Sequence, residues 1–224
     1  QTKRSNLIKF QTSNINQIEV NDCEFQNSLF AFSSDVNINS ITFDNSNFID
    51  CISDSTNIAT IKLNSNHFTF NNCDLIFSQN TNNACSMGIF ISNTKSVSIL
   101  NSNFKNCYGS QPGSAIRSLS QDDFETSFTV ASCTFEECTP ESNVYTTNRI
   151  VNFLNNSISC SNINKKINGI FANYICQLLI DNCTFTKCSY SSDGASIRYA
   201  PPTFDQKVKE SIIANALNAL EEVH

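Results

Sequence analysis

The chain has 224 residues, with 14 Lys and Arg against 20 Asp and Glu, a net charge of −6 and only 15% charged residues. That balance excludes nucleic acid as an expected partner, because phosphates need clustered positive charge. There is no Trp, so 18 Phe supply most of the bulky core, and no apolar run reaches the roughly 18–20 residues that cross a bilayer.

In chain order, seven segments repeat one pattern: two apolar residues flanking a third, an Asn/Asp/Ser position, a small residue, then Phe. The rungs read from this pattern are Ile18, Val20, Phe25; Ile41, Phe43, Phe48; Ile61, Leu63, Phe68; Val97, Ile99, Phe104; Phe128, Val130, Phe135; Val151, Phe153, Ile158; and Leu178, Ile180, Phe185. A motif recurring every 20 to 36 residues is a unit that cannot bury its own face and must stack on its neighbours. The residue inside each apolar pair is polar in six of seven rungs (Glu19, Thr42, Lys62, Ser98, Thr129, Asn152, against Leu179), which is the period of a half-buried strand. Asp22, Asn45, Ser65, Asn101, Ser132, Asn155 and Asn182 stand three before the last residue of each rung, where their side chains favour a corner. Three after it come Ser28, Cys51, Asn71, Cys107, Cys138, Ser161 and Cys188, all small enough for an inner bend.

A third strand follows in most coils, seen as Gly88-Ile-Phe-Ile, Gly113-Ser-Ala-Ile116, Gly169-Ile-Phe-Ala and Gly194-Ala-Ser-Ile197. Three strands and three corners make one turn of a parallel β-helix. The expected fold is therefore all-β: a right-handed parallel β-helix solenoid of about seven or more coils over residues 1–200. Phe25, Phe48, Phe68, Phe104, Phe135, Ile158 and Phe185 are its expected internal ladder.

Phe104-Lys-Asn-Cys-Tyr-Gly-Ser-Gln-Pro-Gly113-Ser-Ala-Ile116 and Phe185-Thr-Lys-Cys-Ser-Tyr-Ser-Ser-Asp-Gly194-Ala-Ser-Ile197 resemble the Phe-x-x-Asn and Gly-Gly-Ala-Ile repeats of polymorphic outer-membrane-type surface proteins, within the pectin-lyase-like β-helix superfamily. Cys replaces the Asn of that pattern, and Ser or Ala its second Gly. The resemblance covers roughly residues 14 to 200. It implies an adhesive or scaffolding surface stalk, while some members of the superfamily are polysaccharide lyases and hydrolases.

Eleven cysteines invite a disulfide or metal reading. Cys51, Cys107, Cys138 and Cys188 share the position three after the ladder residue, and Cys23, Cys133 and Cys183 the position two before it. Ser and Asn alternate with Cys there, so the site selects small size, and stacked buried thiols are the leading reading. A disulfide is the alternative: vertical neighbours such as Cys107 and Cys138 are about 4.8 Å apart, within the Cα range a disulfide allows. With no Cys-x-x-Cys and only His67 and His224, neither a zinc site nor another cofactor is expected.

Asn155-Asn-Ser and Asn182-Cys-Thr are formal N-glycosylation acceptors, but both sit at corner positions where a turn-forming Asn is the leading reading; in a secreted chain Asn155 is the better acceptor, because Cys183 reads as core. Catalysis in this superfamily needs converging carboxylates or Ca²⁺ ligands with a base. The candidates here are few: Asp122 with Asp123 would point to opposite faces of a strand and reads better as an exposed loop, and alternation sends Glu136, beside Glu137, outward on a strand surface, so no enzyme is expected. Arg117 and Arg198 each follow the Ile of a third strand and should point outward on one face, three rungs or about 14 Å apart; solubilising charges on a sheet face are the leading reading, and a groove for an acidic polymer is the alternative.

After Pro201-Pro202, Thr203-Phe-Asp-Gln206 resembles a capping box, and Val208, Ile212, Ile213, Ala216, Leu217, Leu220 and Val223 recur at helical spacing. Residues 201–224 are expected to form an amphipathic helix that caps the solenoid or packs on another domain or subunit. Gln1 without an initiator Met points to a processed product or a piece of a larger chain. The expected function is a non-enzymatic extracellular or cell-surface scaffold, stalk or adhesin whose partners are proteins or extracellular glycans. A polysaccharide-binding or polysaccharide-cleaving module, and an intracellular assembly subunit using the solenoid as a spacer, are the alternatives.

Overall fold

A computed structural model describes residues 8–10, 15–27, 32–51, 59–78, 87–109, 112–120, 125–139, 141–160, 167–175, 177–188, 196–200 and 211–215. Among them every strand pair is parallel, in a 14-stranded and a 7-stranded sheet. The alternation of apolar and polar residues places one face of each strand inside, which is how so few charged residues can serve a long narrow core. The chain is a right-handed parallel β-solenoid. The described residues complete about five turns, fewer than the seven or more expected.

The smaller sheet carries the ladder. Phe25 pairs with Phe48, Phe48 with Leu75, Leu75 with Phe104, Phe104 with Phe135, Phe135 with Ile158, and Ile158 with Phe185. Six of the seven expected positions are correct, and Phe68 is not among them. Phe68 instead aligns with Ile41 and Val97, in the column of the first apolar residue. Ile61 and Leu63, expected beside it, lie in another column: Ile61 aligns with Phe32 and Ile89. The true rung is Phe68, Phe70, Leu75, and its corner is Asn72, not Ser65. The uneven spacings of 20 and 36 thereby become 27 and 29 residues. The smaller Leu75 leaves room that Phe70 fills, with its ring centroid 5.9 Å from Phe48 and 5.7 Å from Phe104. Elsewhere the rings stack directly, Phe25 on Phe48 at 4.8 Å and Phe104 on Phe135 at 5.0 Å.

The corner before each ladder strand has one backbone solution. Asp22, Asn45, Asn72, Asn101, Ser132, Asn155 and Asn182 all have φ between 48° and 56°, a left-handed conformation that Asn and Asp tolerate best among residues with a Cβ. Their side chains continue the stack: Asn72 Nδ2 donates to Asn45 Oδ1 (3.1 Å), and Asn182 Nδ2 to Asn155 Oδ1 (2.8 Å).

The large sheet contains both other strands of each coil. In two rungs they run on as single strands of 13 residues, Phe32–Asp44 and Ala59–Asn71. In later rungs a bend divides them, and it is filled by buried polar groups: Ser118 Oγ donates to Asn148 Oδ1 (2.7 Å), and Asn148 Nδ2 to Thr94 Oγ1 (3.3 Å). Three coils are thus tied together by hydrogen bonds that satisfy groups otherwise costly to bury. At Gly169 the chain passes close to the ladder, where an added Cβ would lie 2.8 Å from the Phe185 ring. Of the stretch expected to form a helix, only Ser211–Asn215 is described, and it is a strand paired parallel with Gln177–Asp181. The rest of 201–224 lies outside the described residues.

Candidate functional site

Outward positions of the large sheet align as Lys62, Phe90, Arg117, Tyr145, Phe171 and Arg198 on successive rungs. Each follows an inward residue of the column Ile61, Ile89, Ile116, Val144, Ile170, Ile197, so period-two alternation alone turns the ladder to the outside. Arg117 and Arg198 share one face three rungs apart, as expected, and the space between them is occupied by two rings. The Arg117 guanidinium lies 4.7 Å from the Tyr145 ring centre and that of Arg198 4.5 Å from Phe171. The rings meet edge to face at 5.1 Å.

This arrangement holds each cation against an aromatic face. Each guanidinium is attracted to the negative face of a ring, Arg117 Nη1 also donates to Pro112 O (3.0 Å), and Asn173 Nδ2 donates to Tyr145 Oη (3.3 Å). The result is a half-exposed strip of two cations and two aromatic faces on an acidic chain. Planar guanidinium groups suit carboxylate and sulfate, and flat rings suit the apolar faces of sugars. Tyr145 and Phe171 were not among the expected site residues. Phe171 stands in a third strand that was recognised, while the coil with Val144 and Tyr145 lacks the Gly that marks the others.

The nine described cysteines form two columns on either side of the Phe ladder. Two before the ladder residue stand Cys23, Ser46, Cys73, Ser102, Cys133, Asn156 and Cys183, a strict alternation of Cys with Ser or Asn. The side chains accept backbone N–H groups from the preceding rung: Cys73 N–H donates to Ser102 Oγ (3.1 Å), Ser46 N–H to Cys73 Sγ (3.3 Å) and Cys133 N–H to Asn156 Oδ1 (2.9 Å). Burial pushes the thiols of Cys73 and Cys133 up to about 11, and that of Cys183 upward.

The second column holds Cys51, Phe77, Cys107, Cys138, Cys160 and Cys188. Cys51, Cys107 and Cys138 are buried reduced thiols, as expected. Cys188 is not: it is half-buried and bonded to Cys160, with Cα atoms 4.8 Å apart. Cys160 follows its ladder residue by two rather than three, and backbone conformation explains why it still points inward. Asp50, Asn106, Glu137 and Lys187 have positive φ and turn the following cysteine inward. No described residue after Ile158 or Leu75 does so at that position, and there the second residue, Cys160 or Phe77, faces the core.

Glu136 points outward and pairs with Lys105 at 3.0 Å, and Glu137 occupies a positive-φ corner (56°), so the two carboxylates do not converge. Asp122 and Asp123 lie outside the described residues. Asn155 and Asn182 are exposed corners on adjacent rungs, while the middle residues of their sequons, Asn156 and Cys183, are buried. No helix among the described residues is long and apolar enough to cross a membrane. Comparison with protein families, with curated proteins and with solved structures finds no match for this chain.

Proposed function

We propose that this chain is a non-enzymatic β-helix repeat domain of an extracellular or cell-surface protein, a scaffold or stalk that binds an acidic glycan along Arg117, Tyr145, Phe171 and Arg198. Kinship with polymorphic outer-membrane-type surface proteins of the pectin-lyase-like superfamily belongs to the same reading. The observation that carries it is the pair of guanidinium groups stacked on two outward rings, cations held in place on a face that contributes little to the core. The Cys160–Cys188 bond supports an oxidising compartment, where Asn155 would be the glycan acceptor. The many reduced thiols favour the intracellular spacer instead. Alkylating the protein as cells are lysed separates the two, since an intact Cys160–Cys188 bond supports the surface reading and a reduced pair the spacer.

Titration calorimetry with polygalacturonate and with neutral dextran tests the binding face. Polygalacturonate should bind and dextran should not, and Arg117→Ala or Tyr145→Ala should each weaken binding about tenfold, equivalent to ~1.4 kcal/mol. Equal binding of both polymers, unchanged in the variants, would remove the proposal. Release of unsaturated or reducing ends, lost in Asp122→Asn or Glu136→Gln, would replace it with the polysaccharide-cleaving alternative.

A further inference from the structure

Cys107, Cys138, Cys160 and Cys188 occupy one column on four consecutive rungs, without the Ser or Asn that separates cysteines in the other column. We propose that these four residues form a disulfide relay, in which the Cys107/Cys138 dithiol is a second, oxidisable disulfide site reached by small-molecule disulfides through Cys188.

Three observations carry it. The column already contains one bond between vertical neighbours, Cys160–Cys188, with Cα atoms 4.8 Å apart, and this is also the rung spacing of the stack. Cys107 and Cys138 stand one rung apart, the Cys138 thiol reaching back to donate to Phe104 O (3.6 Å), and the backbones there are joined by Thr139 N–H donating to Cys107 O at 2.8 Å. Accessibility is graded along the column: Cys107, Cys138 and Cys160 are fully buried, and Cys188 is half-exposed. At the other end Phe77, itself buried, separates Cys107 from Cys51.

The transfer needs no oxidant within the column. The Cys138 thiolate attacks Cys160 Sγ, forming Cys138–Cys160 and releasing Cys188 as a thiolate that takes up the proton lost by Cys138. The Cys107 thiolate then attacks Cys138 Sγ, forming Cys107–Cys138 and releasing Cys160. One disulfide and two thiols are present before and after. Oxidised glutathione next accepts two electrons at Cys160 and Cys188: one of these thiolates cleaves its S–S bond to give a mixed disulfide, the other displaces the second glutathione thiol, and the Cys160–Cys188 bond reforms. The net gain is one disulfide, at Cys107–Cys138, with two molecules of reduced glutathione as product. Thiolate is the attacking species, and burial pushes the Cys107 thiol well above its ordinary range, so transfer is slow at neutral pH and faster in alkali.

The test is disulfide mapping of the whole chain by mass spectrometry of non-reduced peptides. Incubation of wild-type protein with oxidised glutathione should add a Cys107–Cys138 cross-link to the Cys160–Cys188 one, with the loss of two alkylatable thiols, while Cys73, Cys133 and Cys183 stay reduced. In Cys188→Ser, shown to be folded by its circular dichroism, Cys160 should be found bonded to Cys138. Wild-type Cys107 and Cys138 that remain fully alkylatable after unfolding, whatever the exposure to oxidised glutathione, would overturn the proposal, and that arm requires no variant. Cys160 recovered from folded Cys188→Ser as a free thiol or a glutathione adduct, beside alkylated Cys107 and Cys138, would do the same.

Discussion

The two cysteine columns flank one Phe ladder and bury most of their sulfurs, yet only one contains a covalent bond. Chain position cannot explain this, because both run the length of the solenoid. The difference is in what lies one rung away. Cys73, Cys133 and Cys183 have Ser102 and Asn156 between them, so their sulfurs are separated by two rungs, about 9.6 Å and beyond disulfide reach. Cys160 has Cys188 as its immediate neighbour. In the first column the intervening side chains are hydrogen-bond acceptors for the backbone, and in the second the corner conformation supplies the turn, leaving the thiols free to meet. A stack converts the choice at one position per coil into the chemistry of a whole column.

The strongest challenge to this comparison is to the ladder that separates the columns. Phe104→Ala empties a site between Phe135 and Phe70 and should cost about 3–5 kcal/mol in urea unfolding. A loss below about 1 kcal/mol would mean that the register setting both columns is wrong. Asn156→Ala is next. It leaves the buried Cys133 N–H and Val130 O without the partners they have at 2.9 Å, and should cost about 1–3 kcal/mol. Asn101→Ala, at an exposed corner, should cost less, and equal losses would show that the buried acceptor column has no special role.

Alkaline pH should separate the alternating column from ordinary thiols. Burial raises Cys73 and Cys133 from 9.0 to about 11. Above about pH 9 the unfolded thiols ionise while the folded ones keep their protons, so the unfolded state binds fewer protons and stability falls as pH rises to about 11. Each thiol should contribute a loss on the order of 1–2 kcal/mol, which Cys73→Ser or Cys133→Ser removes from the pH profile of the urea midpoint. A flat profile in wild type would contradict the burial of these thiols.

The smallest effect on stability, under about 1 kcal/mol, is expected for Ser102→Cys, which keeps size and weak acceptor character. Its effect on covalent chemistry should be large. A sulfur at that position is one rung from both Cys73 and Cys133, and oxidised glutathione should now produce a cross-link to one of them. Failure to form one would show that alternation is not what keeps this column reduced.

The residues by themselves determined the architecture, because each choice is local. Alternation in Phe128, Thr129, Val130 specifies a strand with one buried face, Asn at 45, 101, 155 and 182 specifies a left-handed corner, and small residues after the ladder specify an inner bend. The same alternation was enough to put Arg117 and Arg198 on one outer face. Only the tertiary structure decided which residues meet vertically, since neighbours on adjacent rungs are 22 to 34 residues apart in sequence, joined by loops of varying length. Phe68, Phe70 and Leu75 are all apolar and inward, and local pattern does not say which of them stands at the corner. Alignment with Phe48 and Phe104 does. Cys160 entered its column because no described residue with positive φ follows Ile158 at that position, so the second residue rather than the third faces the core, and Tyr145 and Phe171 came between the arginines because parallel pairing across coils placed them there.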